Sequence, residues 1–240
     1  MKKDHRPYFM KHLDLAFQKW YVNHYLRPQF EYLGKGFTFM KPWYVEVFGG
    51  PISLGEYANV IATNDQRIRL TIWSEKEGEG LIQIGKHCLL CPGVRISAAR
   101  RIEIGDNCML AQNCYVTDSD WHSAYDRTSA FRQSAPVVLG NNVWVGDSVI
   151  ICKGVSIGDN SIIGAGSVIV KDVPSYAVAA GNPARMVKRL DPDEKMITRA
   201  DWFHDPVELS AEIKRLNKLN LQGNSLIGWF RSILFPRKED

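Results

Sequence analysis

Residues 139–169 read LGNNVWVGDSVIICKGVSIGDNSIIGAGSVI, and an aliphatic side chain returns there at every sixth position: Leu139, Val145, Ile151, Ile157, Ile163 and Ile169. A period of six fits neither an amphipathic helix nor a two-faced strand, whose side chains repeat near 3.6 and 2 residues. It needs a larger coil that comes back to the same face. Four residues after each aliphatic stands a smaller side chain, Val143, Val149, Val155, Ser161, Ser167 and Val173, which reads as a second inward slot. Gly140 and Gly158 lie 18 residues apart, each after an aliphatic and two residues before an Asn (Asn142, Asn160), so three hexads make one triangular turn. Turns of this kind stack at about 4.8 Å, and like slots form ladders. The expected fold is an all-β solenoid.

The register continues upstream with one interruption. Ile84, Leu90 and Ile96 run at six, as do Ile104, Leu110 and Val116, with two residues inserted near Ala98–Arg101. After Val116 the period stops until Leu139, so residues 117–136, TDSDWHSAYDRTSAFRQSAP, must leave the coil as a loop. Leu54, Ala58 and Val60 suggest that the solenoid begins near Ile52. The organisation expected is an N-terminal helix and cap over residues 1–50, the solenoid over 51–190, and a C-terminal helix with an apolar tail over 191–240.

A hydrophobic content of 45% with 23% charged residues argues against disorder, and a net charge of +4 is too mild and too evenly spread to imply nucleic acid. The opening residues lack the pattern of a signal peptide, and no run of about 18 apolar residues occurs, so a cytoplasmic address is expected. Cys88, Cys108 and Cys114 fall in the small inward slot and read as packing, with free thiols. Phe9, Leu13, Phe17, Trp20 and His24 recur at helical spacing over residues 8–26, predicting an amphipathic helix that caps the open end of the stack. A second helix is predicted from Pro206 to Leu221. The tail from Ser225 to Pro236, followed by Arg237 and Lys238, carries seven large apolar side chains. It either lies on a membrane surface or packs on the protein.

Residues 82–189 resemble the left-handed parallel β-helix of the hexapeptide-repeat acyltransferases. The resemblance rests on Asn142-Val143-Trp144-Val145-Gly146, Gly154 to Asn160, Ile163 to Val168, Lys171-Asp172-Val173-Pro174 and Ala180-Gly181-Asn182-Pro183-Ala184. The left hand comes from this resemblance, since the general rule for parallel crossovers favours the right. What the family implies is a homotrimer with acetyl-CoA or another acyl-CoA as cosubstrate, no metal, and transfer within a ternary complex.

His122, on the extruded loop, is the candidate base, because imidazole titrates near neutral pH and the resembled family carries its base on such a loop. Asp120 or Asp118 would orient the ring by accepting from its second nitrogen, or else form turns. By resemblance Trp144 lines the acyl-donor tunnel, with an exposed corner as the plain alternative. The backbone N–H groups of Gly146 and Asp147 are expected as oxyanion donors. Gly164, Ala165 and Gly166 would leave room for a pantetheine arm, with Pro183 in the closing phrase and Lys171, Arg185, Lys188 and Arg189 suited to coenzyme phosphates.

Aligned on Ile104-Gly105-Asp106, the Asn and Asp that hold the acceptor in maltose and galactoside acetylases fall at Gly93 and Ala98, so the acceptor pocket differs. Tyr125, Asp126, Arg127 and Arg132 on the loop, or Arg95, Arg100 and Arg101 on the coil, are candidates to replace them, and their charge hints at an anionic acceptor. The reading is a coenzyme A-dependent O-acyltransferase acetylating a sugar hydroxyl in cell-envelope or exopolysaccharide assembly. Its sugar acceptor is a small molecule or lipid-linked, with possible peripheral contact at the inner membrane face. Alternatives are N-acetylation of an amino sugar, a non-catalytic scaffold, or a γ-type carbonic anhydrase, for which the repeat region offers only His87 and His122.

Overall fold

The computed structural model describes residues 3–74, 78–128 and 133–237. Arg132 and Lys238 lie outside the described residues.

Three flat walls of parallel strands run the length of the coil. One turn takes a strand from each wall: Ile102–Ile104 on the first, Met109–Leu110 on the second, Tyr115–Thr117 on the third. Each pairs in parallel with its equivalent a turn away, as Leu90, Leu110 and Val145 do on the second wall. This is the left-handed parallel β-helix that the hexads imply. The inward slots are sealed: Leu139, Val145, Ile151, Ile157, Ile163 and Ile169 are buried, as are Val143, Val149, Val155, Ser161, Ser167 and Val173.

The corner between first and second walls explains the Gly-x-Asn spacing. A Cβ on Gly105 would come within 2.6 Å of the Gly140 carbonyl of the next turn, so the turns can stack only if that position is bare. Two residues later the chain takes positive φ, at Asn107, Asn142 and Asn160, a conformation that Asn tolerates better than most side chains. Side chains ladder between turns here: Asp106 accepts the Lys86 N–H at 2.7 Å, and Asn141 accepts the Asp106 N–H at 2.8 Å. Three thiols serve the same end, for Cys88 donates to Gly105 O at 3.2 Å, Cys108 to Gly140 O at 3.1 Å and Cys114 to Gly146 O at 3.0 Å.

The coil begins one turn earlier than the Ile52 expected. Tyr32–Leu33, Thr38–Met40 and Val45–Phe48 pair in parallel with the strands of the following turn. Leu33, Phe39 and Val45, buried and six apart, fill the aliphatic slots, and the aromatic at the middle one hides the pattern. Helix α1 (Tyr8–Tyr21) runs on through a π turn at Val22–Leu26 and lies over this first turn. The face it buries is not the stripe read from the sequence. Val22 and Leu26 are buried and Gln18 accepts the Lys41 N–H at 2.9 Å, whereas Phe9, Leu13, Phe17 and Trp20 are about half exposed.

At the other end the antiparallel pair Ala177–Gly181 and Ala184–Arg189 closes the second wall, and the chain then returns along the coil. A short helix α2 (Arg199–Trp202) with a capping box reaches turns two and three, where Arg199 donates to His87 O and to Asn59. Phe203 joins a ring stack with Tyr57 and His87. Helix α3 (Pro206–Asn220) is capped by Asp205, and Asn224 then donates to Asp4 O at 2.7 Å and Arg6 O at 3.0 Å, tying the two ends of the chain. The tail forms helix α4 (Leu226–Leu234), capped by Ser225, whose Ile227, Phe230, Ile233 and Leu234 remain exposed, as does Phe235 beyond it. No described helix is long and apolar enough to cross a membrane.

Candidate functional site: a histidine loop and a bare coil wall

The loop leaves the coil from the third wall and is fastened at its stem. Asp118 is fully buried, and its carboxylate accepts the N–H groups of Ala99 at 2.7 Å, Arg100 at 2.7 Å and Arg101 at 2.6 Å. These are the residues of the corner that carries the two-residue insertion, so a buried carboxylate satisfies a widened corner. Its oxygens are occupied by backbone rather than aimed at His122. Ser119 bridges Ser134, and Asp120 is held by Lys153 of the following turn.

Trp121 takes positive φ and turns its indole back onto the third wall, donating Nε1–H to the Tyr115 hydroxyl at 3.2 Å. His122, next to it, is exposed to solvent. Tyr125 and Arg127 lie further out on the loop, fully in water. Arg95 lies on the coil, its guanidinium 4.3 Å from the centre of the Tyr115 ring. The sequence reading missed Tyr115 and Lys153. Tyr115 could have been found as the residue just before a repeat aliphatic, which faces outward. Of the two family acceptor positions, Ala98 is wholly buried and Gly93 sits at a tight positive-φ corner.

The second wall presents Met109, Trp144, Ile162 and Val178 in successive register, and Lys188 stands beside Val178 on the closing strand. Trp144 is half exposed on that wall. Past it the Gly146 N–H is already given to Ile163 O at 2.8 Å, so Gly146 cannot be an oxyanion donor without breaking the ladder, which leaves Asp147. Gly164 also gives its N–H to the ladder, at Ala179 O, and Gly166 gives its own to Asp147 O. A Cβ on Gly166 would meet nothing within 4 Å, and Ala165 is exposed, so this corner lies open.

Arg185 pairs with Ala180 and Lys188 with Val178, on the outward side of the wall. Arg189 pairs with the core residue Ala177 and points off it. Pro183 lies in the exposed turn between the closing strands. Lys171 is exposed at the corner between third and first walls, away from the other cations. His122 and Trp144 therefore belong to different sides of one chain. His87, by contrast, is built into the Tyr57–Phe203 stack, and burial pushes its pKa down.

A three-walled parallel coil with hexad slots and an extruded loop is a hexapeptide-type β-helix. Residues 82–118 match the profile for the hexapeptide repeat of succinyl-transferase, and residues 136–171 match that for the bacterial transferase hexapeptide of six repeats. Both matched stretches lie in the coil, in keeping with the resemblance to hexapeptide-repeat transferases read from the sequence. Galactoside O-acetyltransferase of Escherichia coli K12 is 40% identical over 116 residues, 48% of this chain and 57% of that protein. The chain thus spans little more than half the length of this relative. Among solved structures, AntD, an N-acyltransferase from Bacillus cereus in complex with dTDP and 3-hydroxybutyryl-CoA, superposes with a TM-score of 0.55 at 20% identity, covering 81% of this chain and 96% of that one. A variant of AntD holding dTDP-4-amino-4,6-dideoxyglucose and coenzyme A gives the same TM-score at 16% identity, covering 81% and 96%. At those identities the likeness is one of fold.

Proposed function

We propose that this chain is an acyl-CoA-dependent acyltransferase that acetylates a sugar hydroxyl, with His122 as general base. The observation that carries the reading is the pairing of a bare second wall, from Trp144 to Lys188, with a histidine-bearing loop fastened to the third wall. The galactoside O-acetyltransferase relative and the coenzyme-bound AntD structures support the reading.

Pantetheine would run past Trp144 and the open Gly164–Gly166 corner, its phosphates meeting Arg185 and Lys188. His122 takes the acceptor hydroxyl proton as the oxygen attacks the thioester carbonyl. The tetrahedral oxyanion is met by the Asp147 N–H, the coenzyme thiolate departs, and the imidazolium returns its proton to that sulfur. Asp120 is the carboxylate left to orient the ring once Asp118 is spent on the corner. Since His122 and Trp144 lie on different sides of one chain, the working unit is a homotrimer in which the loop of one copy faces the wall of the next. Cell-envelope or exopolysaccharide assembly, in the cytoplasm at the inner membrane face, is the setting proposed, with the exposed apolar face of α4 touching lipid.

Incubation with labelled acetyl-CoA or longer acyl-CoAs, together with sugar nucleotides or envelope fractions, should move label onto a sugar oxygen. Label on nitrogen would replace the acceptor class, and no coenzyme binding would favour a non-catalytic scaffold.

A further inference from the structure

The third wall carries a second feature that the donor site does not use. Between Asn59 and Arg69 the second turn takes ten residues to round a corner that the third turn rounds in six, from Leu89 to Arg95. The surplus, Asn64-Asp65-Gln66-Arg67, rises as a rim over the third wall. Together with Arg69, Arg95 and Asn113 it encloses a polar cleft of about 390 Å³.

Three guanidiniums line it beside one carboxylate, Asp65, which accepts a hydrogen bond from the Thr63 side chain. Arg69 is partnered by Glu46 at 3.2 Å, while Arg67 and Arg95 have no carboxylate partner among the described residues and lie near the faces of Tyr44 and Tyr115, at 6.0 and 4.3 Å. A planar fork held over a ring keeps its outer N–H groups free for an oxyanion. The cleft is also joined to the loop. Arg69, Arg95 and Tyr115 are successive partners along the wall, and Tyr115 holds Trp121, the neighbour of His122. At about 4.8 Å per turn, Arg69 lies roughly 10 Å from Tyr115. That span suits a sugar and the phosphate that carries it.

We infer that the cleft of Arg67, Arg69 and Arg95 binds a phosphoryl group of the acceptor, so that the acceptor is a sugar linked through phosphate or pyrophosphate. The inference rests on the proposed acyl transfer and supplies the substrate class. A nucleoside diphosphate and a lipid-linked pyrophosphate share this chemistry. Neutral sugars leave the arginines unmatched, and the family's Asn and Asp positions are occupied here by Gly93 and Ala98, which offer such sugars no hydrogen-bonding side chain.

The probe is inorganic pyrophosphate, titrated calorimetrically into the full chain with coenzyme A present in excess, so that the donor wall is filled. Saturable binding should remain, and Arg67→Ala or Arg95→Ala should weaken it at least tenfold while thermal midpoints hold. Arg185→Ala and Lys188→Ala should leave it unchanged. Competition then separates the sources: displacement by a nucleoside diphosphate identifies a soluble donor of the sugar, and displacement by vesicles carrying polyprenyl pyrophosphate identifies a lipid. Equal affinity in the Arg67 and Arg95 variants, or displacement by neither competitor, overturns the inference. Failure of coenzyme A to bind, with pyrophosphate binding still lost in Arg95→Ala, would instead remove the acyl-transfer reading and leave the cleft as an anion site.

Discussion

Asp118 Oδ2 accepts the Arg101 backbone N–H at 2.6 Å, so the residue at which the loop departs also closes a corner that two inserted residues have widened. Removing it should act on stability. Asp118→Ala leaves the N–H groups of Ala99, Arg100 and Arg101 without an acceptor and is expected to cost about 2–4 kcal/mol in denaturant unfolding. Coenzyme A affinity of the folded fraction should not change. Unaltered stability with collapsed turnover would instead return Asp118 to the role of orienting His122.

His122→Ala should lower turnover by about 10²- to 10⁴-fold with donor affinity retained, the usual reach of general-base catalysis. A variant as active as the parent chain would sink the assignment. Because Asp120 is held by Lys153, Lys153→Ala should shift the pH profile of turnover more than it changes coenzyme affinity.

The closing strand separates its cations by face. Arg185→Ala and Lys188→Ala should each weaken coenzyme A binding by about 1–3 kcal/mol, the range for a lost charged hydrogen bond. Arg189→Ala, at a position paired with buried Ala177, should weaken it far less. Calorimetry that ranked Arg189 first would place the phosphates over the end of the coil.

Helix α4 offers a direct comparison. Replacing Ile227, Phe230 and Phe235 with Ser leaves Asn224 and its tie to Asp4 and Arg6 intact. If α4 touches lipid, the parent chain should co-sediment with anionic liposomes and the variant should not. Loss of the trimer in the variant, with no co-sedimentation by either chain, would assign the face to subunit packing.

Burial pushes the Cys114 thiol up to about 12 from an ordinary value of 9.0. A folded value above the unfolded one means that stability is full below pH 9 and is lost as pH rises from 9 towards 12, because the unfolded thiol ionises first. The slope is about 1.4 kcal/mol per pH unit for one such group. Melting followed from pH 8 to 11 should fall more steeply for the parent chain than for Cys114→Ala, and equal slopes would refute the shift.

Much of this molecule was written in the hexads, since Leu139 to Ile169 and their companion slots are the core itself. The first turn escaped notice because Phe39 stands where Val60 and Leu90 stand later, although the interval of six from Leu33 to Val45 is intact. Helix α1 misled for a different reason. Its aromatic stripe looked like a packing face, yet Val22, Leu26 and the amide of Gln18 make the contact, and only the position of the first turn decides which side is inward. His122 was legible as the loop's histidine, whereas the burial of Asp118 depended on a corner far from it in sequence. Gly146 was misread because a free N–H and a ladder N–H look alike in a string of letters.

The return of the chain has a consequence for how the protein comes apart. A stack of turns touches only its neighbours, and such arrays can fray from an end, turn by turn. Here Arg199 grips His87 across 112 positions, and Asn224 grips Asp4 across 220. With these clasps in place, neither terminus can peel away without releasing the other. A rod whose ends are buckled together in this way should melt in a single transition, and cutting the strap between α2 and α3 should split that transition in two.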